Sequence, residues 1–75
     1  MNIDRITRDP VVMGGRACIR GMRVTGAMLV AQIAAGRTVD DIVGDYPYIE
    51  SEDVRQALTY AAWLADEREV SLPRA

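Results

Sequence analysis

Gly14-Gly15-Arg16-Ala17-Cys18-Ile19-Arg20-Gly21-Met22-Arg23-Val24-Thr25 is the stretch on which the reading of this chain turns. Two short β-type segments, Arg16–Ile19 and Met22–Val24, flank Arg20-Gly21. A glycine in the second place of such a pair suits a tight hairpin turn, because it reaches positive φ without a Cβ clash. Gly14-Gly15 reads as the loop that leads in. Thr25 offers a side-chain oxygen to cap a following helix. That helix, Gly26–Ala35, has Gln32 as its single polar interior residue, and Gly36 can close it as a left-handed C′ residue. The stretch therefore predicts a hairpin that feeds straight into an apolar helix. It also presents Arg16, Arg20 and Arg23, whose planar forks of donors suit carboxylate or phosphate.

Working outward, Ile3–Thr7 alternates as a short strand, and Asp9-Pro10 ends it because the residue before proline is pushed out of helix. Downstream, Thr38 can cap a second, short helix with Asp40 and Asp41 in its first turn, where negative charge meets the positive end of the helix dipole. Ile42 and Val43 supply its apolar contacts, and Gly44–Pro47 ends it. Ser51 reads as the N-cap of the longest helix, about Glu52–Arg68, with Glu52 and Asp53 in the first turn. Val54, Ala57, Leu58, Ala61, Leu64 and Ala65 share one stripe of it at helical spacing. Trp63 falls on the far side of that wheel and Tyr60 on a flank. The fold expected is mainly α: a short N-terminal β-hairpin followed by a three-helix bundle, a helix-turn-helix in outline. Gly14, Gly15, Gly21, Gly36 and Pro47 are its structural turns. Residues 1–69 form the single domain and 70–75, which contain Pro73, a frayed tail.

At 75 residues the chain makes one domain. A core of this size seldom supplies more than about 3–5 kcal/mol of net stability, so small domains add metals, disulfides or a second subunit. One cysteine and no histidine exclude an intrachain disulfide and a Cys/His zinc site. Cys18 reads as a small buried hydrophobe with no base to activate it. Asp40, Asp41 and Asp45 hint at a metal, but capping accounts for the first two. No cofactor, no metal and no enzymatic activity are expected. Self-association remains, and a helix apolar all round calls for burial on every side. A homodimer is thus expected, with Trp63 as interface anchor beside Tyr60. Asp4, Arg5, Arg8 and Asp9 interrupt any signal-peptide core, and Ala27–Ala35 is too short to span a bilayer. A cytoplasmic protein without membrane contact is the expectation.

The charge is unevenly placed. Through Arg37 six arginines face two aspartates, a formal charge of about +4; from Thr38 onward three arginines face nine acids, about −6. Every cation is arginine, which favours geometric pairing over general solvation. Arg16, Arg20 and Arg23 either pair internally, with Asp4, Asp9 or Asp45, or form a docking face for an acidic pocket. A DNA-reading helix uses its N-terminal residues, and here that end carries Glu50, Glu52 and Asp53, which repel phosphate. Direct DNA contact would fall instead to the arginines of the hairpin, as in a β-ribbon reader.

The order Ile6-Thr7-x-Asp9-Pro10, Met13-Gly14-Gly15-Arg16-x-Cys18-Ile19-Arg20-Gly21-x-Arg23-Val24, Ala35-Gly36 with Asp41-Ile42, then Asp45-Tyr46-Pro47-x-Ile49, Glu52-Asp53-Val54 and Ala57-Leu58-x-Tyr60-Ala61 resembles the small prokaryotic family catalogued as domain of unknown function 433. That family includes VapB-type antitoxins. The resemblance runs from Ile6 to about Ala65 and departs at Met22 and Gly26, where threonine and a β-branched or aromatic residue are expected. It implies a β-hairpin followed by a homeodomain-like bundle, often dimeric. For some members it implies an antitoxin role against a neighbouring PIN-like ribonuclease, which holds metal ions with clustered carboxylates. The segment after Glu69 is short, so a long toxin-wrapping extension is not expected. On this reading the chain is the antitoxin of a type II pair, neutralising the nuclease through Arg16, Arg20 or Arg23. The alternatives are a DNA-binding regulator, alone or as a toxin complex, and a homodimeric structural module.

Overall fold

Arg20 and Gly21 both take positive φ, +46° and +72°, and the Met22 N–H donates to the Ile19 carbonyl at 2.8 Å. This is the type I′ turn whose twist matches a hairpin. In the computed structural model, which describes residues 3–67, the turn sends the chain back so that the Ile19 N–H donates to Val24 O at 2.8 Å and Cys18 bridges Thr25. The return side makes only that bridge. The ladder of the hairpin forms elsewhere: β1 (Ile6–Thr7) pairs antiparallel with β2 (Cys18–Ile19), with Ile6 opposite Ile19 and Thr7 opposite Cys18. The predicted strands are thus shorter than the sequence suggests. Ile3–Thr7 loses its first half because the Ile6 N–H turns back to Ile3 O and the Arg5 N–H is taken by the Gln56 side chain. The loop between the strands contains a single 3₁₀ turn, Met13–Gly15.

Three helices follow: α1 (Gly26–Ala34), α2 (Val39–Asp45) and α3 (Ser51–Glu67). Thr25 caps α1 by accepting from the Met28 N–H at 3.1 Å. Gly36, at φ +94°, ends it in a Schellman motif, the Arg37 N–H reaching Gln32 O and the Gly36 N–H reaching Ile33 O, both at 3.0 Å. Thr38 and Asp41 form a full capping box on α2. Helix α3 starts one residue before the predicted boundary. Ser51 is already helical, and it is the Glu50 N–H that is capped, by Asp53 Oδ2 at 2.8 Å. The predicted end at Arg68 and the tail 70–75 lie outside the described residues.

Ile19 of β2, Leu29 of α1, Ile42 of α2, Ile49 of the following turn and Val54 and Ala57 of α3 form the core, with Ile6 of β1 packed against it. Helix α1 keeps most of its apolar surface outside the core. Within the described chain only its Gly26 and Leu29 are buried, while Ala27, Met28, Ala31 and Ala34 face outward. A nine-residue helix at 1.5 Å per residue is about 13 Å long and the 17-residue α3 about 25 Å. The bundle therefore cannot cover the far end of α3. Its apolar stripe is buried at Val54 and Ala57, but Leu64 is 36% exposed and Ala65 is exposed.

Candidate functional site

The first turns of α3 hold a polar knot. The Asp53 side chain is 0% exposed. It accepts from Arg20 Nε at 3.1 Å and Arg20 Nη2 at 2.9 Å, from Arg5 Nη1 at 3.1 Å, and from the Glu50 N–H. Arg20 Nη2 also donates to Tyr48 O at 2.7 Å, and Arg5 pairs with Glu50. One turn on, the buried Gln56 amide accepts from the Arg5 N–H at 2.8 Å and donates to Asp4 Oδ1 at 2.9 Å and Glu52 Oε2 at 2.8 Å. Burial pushes the Asp53 carboxyl up, but Arg20, the Glu50 amide and Arg5 outweigh it and hold its pKa below the ordinary value. Arg55 and Gln56 hold Glu52 down to about 2. No buried side-chain nitrogen or oxygen among the described residues lacks a partner. The buried carboxylate and amide of the knot are fully matched, so it holds the hairpin to the bundle.

The three arginines of the hairpin therefore part company. Arg20 is an internal clamp, and its carboxylate is Asp53 rather than Asp4, Asp9 or Asp45. Its left-handed backbone, which disfavours most side chains, is what aims it there. The side chains of Arg16 and Arg23 are exposed and make no ion pair or hydrogen bond among the described residues, and neither does that of Arg8. Arg5, Arg37 and Arg55 are engaged like Arg20, with Glu50 and Asp53, with Asp45, and with Glu52.

Arg16 and Arg8 line a groove of about 440 Å³ between α1 and α3. Its walls are Ala27, Val30 and Ala31 on one side and Tyr60, Ala61 and Leu64 on the other. Tyr60 stacks on Trp63 at a centroid distance of 6.0 Å and 23° between ring planes, and Trp63 is 41% exposed. Arg23 belongs to a different, smaller hollow of about 80 Å³ beside Tyr46 and Tyr48, which shares no residue with the groove. The turn residues lie apart from both Arg16 and Trp63 in role: Gly14, Gly15, Gly21 and Gly36 all hold positive φ, and Pro47 sits in the turn closed by the Ile49 N–H on Tyr46 O at 2.8 Å. Among the described residues no three metal-ligating side chains cluster, the thiol of Cys18 is buried, and no helix is long and apolar enough to cross a membrane.

Asp53, Gln56 and Arg8 were not singled out by the sequence. Asp53 reads there as a first-turn acid, and Gln56 lies outside the apolar stripe that the spacing picks out. The one signal for the groove is the length of the α3 stripe, which outruns any partner helix in the chain.

A two-stranded hairpin clamped onto three helices, with an open apolar groove between α1 and α3, defines a small mainly α protein. Residues 6–61 match the model of DUF433, described as a protein of unknown function, and the chain belongs to that family. It is 34% identical over 56 residues to an uncharacterized protein, y4eO, of Sinorhizobium fredii, covering 75% of this chain and only 25% of that one. It also resembles the crystal structure of a DUF433 member from Anabaena variabilis, with a TM-score of 0.77 and 30% identity over 85% of this chain and 63% of the other. The chain thus spans a quarter of the curated relative's length and less than two thirds of the solved structure's.

Proposed function

We propose that this chain is a non-enzymatic binding protein, the antitoxin of a type II pair, which restrains a PIN-like ribonuclease by presenting guanidinium groups to its carboxylates. The observation that carries the reading is the split among neighbouring arginines: Arg20 is consumed by Asp53, whereas Arg16, four residues earlier, has no carboxylate among the described residues. A rigid cation left without an internal partner is suited to an external one. The family resemblance supplies the partner class, a nuclease whose metal-binding acids such a cation would neutralise. Arg16 and Arg23 are the groups assigned to that task, and Arg20 positions the ribbon that bears Arg16.

The DNA-binding alternative has less support. The N-terminal end of α3 is acidic, and its Glu50, Glu52 and Asp53 are all tied to arginines of the same chain. Self-association belongs to the same proposal and starts from the exposed Trp63. The test is co-purification with the product of an adjacent open reading frame, followed by an RNA-cleavage assay. Arg16→Ala and Arg23→Ala are expected to abolish inhibition while the chain stays folded. Unchanged inhibition by both variants sinks the reading.

A further inference from the structure

The groove between α1 and α3 has a shape and a charge that specify more than "a partner". Short side chains stand on both walls one helical turn apart, Ala27 and Ala31 on α1 and Ala57 and Ala61 on α3. Gly26 at its head adds no side chain, and a Cβ placed there would lie 3.8 Å from the Ala57 Cβ. A trough between two packed helices, lined by small residues, is where the ridge of a third helix fits. Helix-in-groove recognition reads apolar anchors at i, i+3, i+4 and i+7 in such a trough. At the rim stand Arg8 and Arg16, two of the described arginines without an internal carboxylate.

We propose that this groove takes an amphipathic α-helix of a partner protein, its apolar ridge seated between α1 and α3 and a carboxylate on its flank meeting Arg8 and Arg16. The proposal rests on the reading of the chain as a binding protein and names the element that it binds. Charge complementarity favours a partner's helix over the start of α3 in a second copy: helix α1 carries no acid, and Glu50, Glu52 and Asp53 are already engaged, while a second copy offering the exposed Asp66 near the end of α3 is the outcome that sedimentation reads. An apolar floor with cations at one rim asks for an occupant that is greasy on one side and acidic on the edge.

The test is selection of a displayed library of amphipathic helices of about 16 residues, long enough to run the groove, against the full chain. The counter-bait is the Ala31→Trp/Ala61→Trp variant, whose indoles fill the groove. The expected result is enrichment on the unmodified chain alone of sequences with apolar anchors at helical spacing and Asp or Glu on one flank. Arg8→Glu/Arg16→Glu is expected to weaken the selected peptides by about tenfold or more. Amide chemical-shift changes on the unmodified chain should map to Val30, Tyr60 and Leu64, which keeps the test valid if the tryptophan variant does not fold. Equal enrichment on both baits, selected helices without acids, or shifts elsewhere overturn the proposal. So does a dimer in sedimentation that Ala61→Trp dissociates, since a second copy then fills the groove. Selected helices that bind where no nuclease is inhibited leave the groove standing and remove the antitoxin reading. A nuclease captured equally by the groove-filled variant does the reverse.

Discussion

The two ends of α3 share one helix and carry opposite chemistry. In the first turns, Asp53 and Gln56 are shut away from water and every polar atom they own is matched by Arg5, Arg20, Asp4, Glu52 or a main-chain amide. Further along, the helix shows apolar side chains that the described chain leaves uncovered, with Leu64 and Trp63 open to solvent and Arg8 and Arg16 without an ion pair among the described residues beside the groove. The lesson concerns how to weigh a cation in a small protein. Arg16 and Arg20 are alike in sequence, but desolvating a carboxylate is so unfavourable that a buried acid such as Asp53 claims every guanidinium in reach. What the knot has not claimed is what remains for binding.

Several substitutions break or sharpen this contrast. Asp53→Ala carries the largest effect: it strips the carboxylate from two arginines and the cap from the Glu50 N–H, at about 3 kcal/mol. That is most of what so small a core provides, so urea denaturation followed by far-UV circular dichroism should find the variant marginal, with about 0–2 kcal/mol left at 25 °C. Gln56→Leu keeps the volume but orphans the Arg5 N–H, and should cost about 1–3 kcal/mol in the same experiment. Acid acts on the same end. Asp53 and Glu52 have folded-state pKa values below their unfolded ones. Their contribution is complete above the unfolded carboxylate range and is lost as pH falls through the folded values, for Glu52 from about 4.5 toward about 2. Thermal midpoints should hold steady from pH 7 to 5 and drop steeply below about 4, and Gln56→Leu should blunt that drop only in part, because Arg55 still holds Glu52. The smallest expected effect sits at the other end: Arg16→Ala leaves the thermal midpoint where it was, because Arg16 has no internal partner to lose. A drop comparable to that of Gln56→Leu would erase the distinction between the two ends.

Much of the fold was legible in the sequence because its signals are local. Thr25, Thr38, Gly21 and Gly36 each act within a few residues, by capping or by positive φ, and each acts in the structure as its type predicts. What the sequence did not display is long-range. The pairing of Ile6–Thr7 with Cys18–Ile19 needs a partner eleven to thirteen positions away and offers only two residues of pattern on each side. Asp53 looks like an ordinary helix-capping acid until residues 5 and 20 are brought to it. Membership in the DUF433 family was legible from the Gly-Arg segment and the Asp-Tyr-Pro turn together. The candidate site was half legible: Arg16, Tyr60 and Trp63 fall at or beside the groove, Arg20 and Arg23 do not, and Arg8 was counted only as charge. Composition reports how many cations a chain has, but only burial decides which are spent.

The clasp made by Asp53 and Gln56 also sets a clock. It reaches back 33 residues to Arg20 and 52 to Asp4, so the N-terminal ribbon leaves the ribosome long before the groups that fasten it. Because loop closure must precede the reward of such distant contacts, the ribbon is fastened to the bundle only once residues 53–56 are in place. For this chain, the native clasp waits on the synthesis of α3.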